Sequence, residues 1–173
     1  MRLFYSMDHG DSQNPSRATG GFDLPQLVCL FEQGLVEEWP TLELSIAGQP
    51  VDYLVNDASV RLCSPRLREV IDSNCGEHDQ RQWLDAAVTT ERSQVLEYYV
   101  LHFPSLPDVL DPEQTLMNGL MVVRPVISLR RAEGHRVFGF RWGGMGTVVA
   151  RPLKLAIEQA GCTGVGFENI RLA

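Results

Sequence analysis

The sequence predicts an α+β fold: a single domain over residues 1–173, mainly antiparallel or mixed sheet with two or three short helices. Three observations carry this expectation. Residues 95–103 (VLEYYVLHF) are a run of aromatic and aliphatic side chains with strand composition. Residues 137–172 read in order as strand, glycine turn, strand, proline-started helix and strand. Residues 60–73 carry an earlier strand that runs into a helix through Ser64 and Pro65.

Taken in order, residues 1–6 predict a first strand, and the polar stretch 8–21, with Pro15 and two closing glycines, predicts an exposed loop. Residues 24–36 are ambiguous. Leu27, Cys29 and Phe31 alternate as in a strand, while Leu27, Leu30 and Phe31 also share a helical face. Residues 42–46 and 51–55 predict two strands around Gly48-Gln49-Pro50, in the manner of a hairpin. Asn56-Asp57 marks a turn, and 60–63 a short strand. Ser64 then suits an N-cap and Pro65 the first helical position, with Leu67, Val70 and Ile71 on the apolar face. Residues 104–112 predict a loop with Asp108 and Asp111 at its tip. The apolar segments 120–123 and 126–129 flank Pro125, which fits an edge strand or a bulge.

In the last third, Phe138, Phe140 and Trp142 alternate with Gly139 and Arg141, a half-buried strand pattern. Gly143, Gly144 and Gly146 allow a tight turn before the strand 147–150. Pro152 opens a helix with Leu153, Ala156, Ile157 and Ala160 on one face, Gly161 ends it, and residues 165–172 form a last strand. Aligning Pro65 with Pro152 places Val70 on Ile157. This is either an internal echo or the common preference for proline at a strand-to-helix joint.

Composition bounds the class. A hydrophobic content of 44% and a charged content of 21% are those of an ordinary globular chain, and 173 residues suffice for a substantial core. No apolar run approaches the roughly 20 residues of a membrane helix. The N-terminus turns acidic within eight residues and lacks a signal-peptide core, so the expected address is the cytoplasm. Cys29, Cys63, Cys75 and Cys162 form no Cys-x-x-Cys pair and are expected to be reduced and structural.

Charge is unevenly distributed. Residues 1–123 hold 7 basic and 19 acidic side chains (−12) and residues 124–173 hold 8 and 3 (+5), together the net −7. Residues 69–123 hold 10 acids against Arg81 and Arg92 alone. Such a field repels nucleic acid and attracts basic partners, although a merely solubilising surface has the same signature.

The residue types and spacings point to no catalytic residue, metal or cofactor. His9, His78, His102 and His135 lack paired metal spacing. Asp8-His9-Gly10-Asp11 reads as a solvated turn, and Cys75-Gly76-Glu77-His78 as a post-helix turn rather than half a zinc site. His102 and Glu97 sit five apart in a strand and so face opposite ways. Gly161–Gly166 follows a helix and precedes a strand, the reverse of a phosphate-binding glycine loop. Asp108, Asp111 and Glu113 offer carboxylates to a small hydrolase or transferase, which would need a deep pocket gathering two or more of Asp8, His9, Asp108 and Asp111. Trp39 beside Glu37 and Glu38, and Trp83 beside Asp85, instead suit a protein-binding surface.

Two segments carry a family resemblance: residues 96–103 followed by Val109-Leu110-Asp111, and the tail from Val148 through Arg151-Pro152 to Thr163-Gly164-Val165-Gly166-Phe167-Glu168. They resemble the immunity-protein family eleven of bacterial polymorphic toxin systems, formerly a domain of unknown function. The likeness covers roughly residues 60–173, with 64–71 similar to an upstream Ser-helix block and 1–59 matching loosely. It departs at Ala150, where a serine would be expected to begin the helix. The resemblance implies a cytoplasmic protein that binds and neutralises a cognate toxin and has no shared catalytic residues. With the acidic stretch, it points to a basic toxin such as a nuclease, with Glu77, Asp79, Trp83, Asp85, Asp108, Asp111 and Glu113 as contacts. Neither nucleic acid nor membrane is expected as a partner. A self-associating adaptor, or homodimer, pairing through an exposed strand edge is the remaining alternative.

Overall fold

The computed structural model describes residues 3–10, 16–21, 27–31, 33–119, 121–141 and 145–173. Asp11, Pro15, Leu120, Trp142, Gly143 and Gly144, which figure in the sequence reading, lie outside the described residues. The fold is α+β, and among the described residues two named α-helices stand against many strands in mixed and antiparallel sheets.

Six strands close a barrel: β2 (Arg17–Thr19), β3 (Leu42–Ile46), β6 (Gln82–Thr90), β7 (Val95–His102), β5 (Leu62–Cys63) and β4 (Tyr53–Asn56), in that spatial order. Alternation drives each strand. In β3, Leu42, Leu44 and Ile46 point inward while Glu43 and Ser45 point out. In β6, Leu84, Ala86 and Val88 fill the same interior, met by Tyr98 and Val100 of β7. Parallel pairs β3–β6 and β2–β4 and antiparallel pairs elsewhere make the barrel mixed.

The second layer is an antiparallel sheet in the order β11 (Val137–Arg141), β12 (Met145–Ala150), β1 (Phe4–His9), β13 (Val165–Asn169). Helix α1 (Pro65–Asn74) follows β5, and helix α2 (Arg151–Gln159) joins β12 to β13, with β1 inserted between them. The two helices bury Leu67, Ile71, Leu153 and Ile157 in one core with Met7, Leu101, Phe103, Val137 and Val149. A third core on the far face of this sheet gathers Phe4, Phe138, Val148 and Ile170 with Val109 and Ile127. There β10 (Val126–Ile127) pairs in parallel with β14 (Arg171–Leu172). β8 (Leu116–Asn118) and β9 (Met121–Arg124) form a separate hairpin.

Ser64 caps α1, its Oγ accepting from the Leu67 N–H at 3.2 Å. α2 has Ala150 at its N-cap, which offers no capping side chain. The proline alignment, which sets Val70 on Ile157, is one residue out of step with the burial of the two helices. The buried pairs are Leu67/Ile71 and Leu153/Ile157, because Pro65 is the first helical residue and Pro152 the second.

Barrel and sheet are tied through Arg61, which is buried. Its Nε donates to Thr147 Oγ1 at 2.8 Å and its Nη2 to the Gly146 carbonyl at 2.8 Å, and its guanidinium lies 4.8 Å from the Phe103 ring centre. Burial lowers its pKa to about 10, so it stays charged at neutral pH. Gly139 makes the space: a Cβ there would meet Phe103 at 2.6 Å and Arg61 at 3.2 Å.

Three expectations need correction. The strands at 42–46 and 51–55 do not form a hairpin, because β2 inserts between β3 and β4 and pairs with both. That strand also interrupts the loop expected over 8–21, and β1 runs on to His9; Ala18 is buried in the barrel although its neighbours are polar. The long strand β6 was not anticipated. The first described part of 24–36 resolves to a helical turn, with a 3-10 turn at Cys29–Phe31.

Candidate partner-binding surface

The outer face of β3, β6 and β7 is set by the register that fills the barrel. With Leu84, Ala86 and Val88 inside, Asp85, Ala87 and Thr89 must face out. Asp85 lies opposite Tyr99, and Ala87 lies between Glu43 on β3 and Glu97 on β7. Strand spacing puts Glu43 and Glu97 about 10 Å apart across Ala87, with Asp85 about 7 Å along the same strand. Three exposed carboxylates thus surround a small, flat residue.

Aromatic groups border this acidic face and are held in place. The Arg68 guanidinium of α1 sits 4.1 Å from the Tyr99 ring centre and 5.8 Å from that of Trp83. Trp83 Nε1 donates to Asp72 at 3.0 Å, and the same carboxylate oxygen accepts from Arg81 Nε at 2.6 Å. The Tyr99 hydroxyl donates to Glu97, and that carboxylate pushes the phenol above its ordinary pKa. Trp39 donates from Nε1 to the Asp85 carbonyl at 2.9 Å. Helices cover the outer side of β7 only as far as Leu101, which is buried against them, so Tyr99 and Glu97 emerge.

The residues singled out from sequence fall into three groups rather than one. Trp83 and Asp85 lie on the barrel face. Asp108, Asp111 and Glu113 lie on the strap between β7 and β8. Asp108 pairs with Arg131 at 2.6 Å, and Asp111 Oδ1 accepts from the backbone of Glu113 and Gln114, which makes it a turn cap. Glu77 and Asp79 lie in the loop after α1. Glu77 is exposed, but the Asp79 side chain is 0% exposed. Its oxygens accept from the N–H groups of Gly76, Arg136 and Val137 and from His135 Nδ1 at 3.1 Å. Asp79 therefore joins that loop to the start of β11 and presents nothing to a partner. Glu43, Glu97, Tyr99 and Arg68 were missed. The alternation in residues 83–89 was the available signal, since it places Asp85 and Ala87 outward beside them.

His135 also lines a cleft of about 660 Å³, together with Cys75, Glu77, Glu133, Arg136 and Arg151 among others. The Cys75 thiol donates to the Asp72 carbonyl at 3.3 Å. None of Asp8, His9, Asp108 or Asp111 lines this cleft. Asp8 and His9 end β1, whereas Asp108 and Asp111 belong to the strap beside Phe4 at its other end. The arrangement named as the requirement of a carboxylate hydrolase is not assembled at the cleft. His102, facing inward from β7, has its Nε2 2.9 Å from the Gly34 carbonyl. Among the described residues no helix is long and apolar enough to cross a membrane.

No family model matches the chain, and a search of curated proteins finds no match.

Proposed function

We propose that this chain is an immunity protein of the polymorphic-toxin type, which binds a cognate basic toxin, such as a nuclease, and blocks it by protein–protein contact in the cytoplasm. The observation that carries the reading is the outer barrel face: Glu43, Asp85 and Glu97 around Ala87, bordered by Tyr99, Trp83 and Arg68. Tyr, Trp and Arg dominate the energetics of protein interfaces, and side chains already fixed by neighbours lose little entropy on binding. The surrounding carboxylates favour a positively charged surface and speed its approach. The resemblance of residues 60–173 to immunity-protein family eleven supports the same reading.

The test is co-expression with the open reading frames flanking the gene, followed by affinity capture of the tagged chain. The expected result is relief of toxicity together with stoichiometric capture of one basic protein. Toxicity that co-expression leaves unrelieved, with no such partner retained, refutes the proposal.

A further inference from the structure

We propose that the hairpin β8–β9 is a self-association element, through which two copies of this chain pair antiparallel along β8. This inference does not depend on the toxin-binding reading. Among the described residues β8 and β9 pair only with one another. An isolated two-stranded hairpin is marginal in water, and its open edges invite another strand.

The hairpin also carries an unusual share of uncovered apolar surface. Leu116 is 50% exposed, Met117 47%, Met121 60% and Val123 53%, while among the described residues of the hairpin Val122 is buried. The other large exposed apolar residues, such as Leu35, Val95 and Leu155, are scattered over separate elements.

The two edges differ. β9 ends in Arg124 and is followed by Pro125, both of which discourage strand addition. β8 is Leu116-Met117-Asn118, with neither charge nor proline. The register shift at Leu116/Met117 places the irregularity opposite, in β9, and leaves the β8 edge regular.

Charge selects a second copy as the occupant. Residues 115–123 contain no charged side chain in a protein of net charge −7. A basic partner finds no attraction there; the carboxylates that would draw it lie on the barrel face. Two copies related by a two-fold axis at Met117 set Leu116 opposite the partner's Asn118 and Met117 opposite its own copy, with no like charges facing. A three-residue pairing is small, so the association should be weak and concentration-dependent.

Sedimentation velocity over a concentration series of the full chain tests this. The expected result is a dimer fraction that rises with concentration for the native sequence and a monomer throughout for Met117→Arg, which places two cations on the axis. Circular dichroism and the melting temperature should be unchanged, because Met117 is half exposed. Met117→Cys should give a disulfide-linked dimer under mild oxidation, while Val95→Cys, on the exposed barrel hairpin, should not. A monomer at every concentration overturns the proposal, as does a dimer indifferent to Met117→Arg or crosslinking equal at both positions. Should the native chain be monomeric while Met117→Arg abolishes capture of a toxin, the hairpin belongs to that partner and self-association is refuted.

Discussion

Asp52 and Thr163 lie 111 residues apart and are joined by three hydrogen bonds. Thr163 donates from its N–H at 2.7 Å and its hydroxyl at 3.0 Å to Asp52 Oδ2, and the hydroxyl accepts the Asp52 N–H at 3.2 Å. The other carboxylate oxygen accepts from Ser64 Oγ at 2.6 Å, the same hydroxyl that caps α1. One carboxylate thus fixes the entrance to β4, the start of α1 and the turn after α2. Gly164 completes the contact with φ at +75°, since a Cβ there would lie 2.6 Å from the Tyr53 carbonyl.

Asp52→Ala is therefore expected to lower stability by about 2–3 kcal/mol, and Thr163→Val by about 1 kcal/mol, in urea unfolding. The double variant should cost less than the sum, because both remove the same bonds. Strict additivity would show that the two residues act separately. Burial alone would raise the Asp52 pKa, but hydrogen bonds from Ser64 and Thr163, with the Arg66 charge, bring it below its ordinary 3.8. Its stabilisation is present above that value and is lost as pH falls through the folded-state pKa. Asp52→Ala should flatten the acid limb of the stability curve.

His9 predicts a second pH effect. Its ring stacks on Tyr53 with centres 4.5 Å apart, and burial lowers its pKa from 6.5 against the opposing pull of Asp8 and the Tyr53 backbone. A histidine favoured neutral in the fold contributes stability above 6.5, which is lost as pH falls through the lower folded-state value. Unfolding midpoints measured from about pH 7.5 to about pH 5 should decline for the native chain and decline less for His9→Phe, which keeps the stack without the charge. Equal slopes would remove His9 from the explanation.

Asp79→Ala should be more damaging than a surface substitution, costing about 3 kcal/mol or more. It strips four donors of their acceptor at once, in the loop after α1 and at the start of β11. Amide exchange should accelerate at Gly76, Arg136 and Val137. Unchanged protection there would mean that backbone pairing, not this carboxylate, holds the two segments together.

The elements legible in sequence were those whose signal is local. Ser64-Pro65 and Pro152-Gly161 bound the two helices, and residues 95–103 alternate around a barrel wall. What escaped was what depends on distant partners. β2 is a three-residue strand whose only buried side chain is Ala18, and its place is set by backbone pairing with both β3 and β4, partners distant in sequence. β6 opens with Gln82-Trp83 and carries Asp85 at its centre, so its polarity hid a period-two pattern. The candidate contacts are scattered for the same reason, since acidity alone does not tell an outward carboxylate from an inward one. In sequence Asp79 is one acid among ten, but its carboxylate serves four inward donors, whereas Glu97 lies on the face opposite His102. That outward face is the one it shares with Asp85 and Glu43.

On the proposed reading, the barrel face rather than the strap should govern recognition of the partner. Asp85→Arg and Glu97→Arg are each expected to slow association with the captured partner about tenfold at low salt, with little effect at high salt, where exposed charges are screened. Tyr99→Ala should act differently, raising the dissociation rate and costing about 2 kcal/mol at any ionic strength, because it removes a packed aromatic anchor from beneath Arg68. Asp108→Arg provides the control. Its carboxylate lies on the strap beside Arg131, away from the β6–β7 face. It should change association less than twofold, within the usual effect of a remote charge. Surface plasmon resonance across a salt series separates these cases. A larger effect from Asp108→Arg than from Asp85→Arg would move the docking surface to the strap and refute the assignment to β3, β6 and β7.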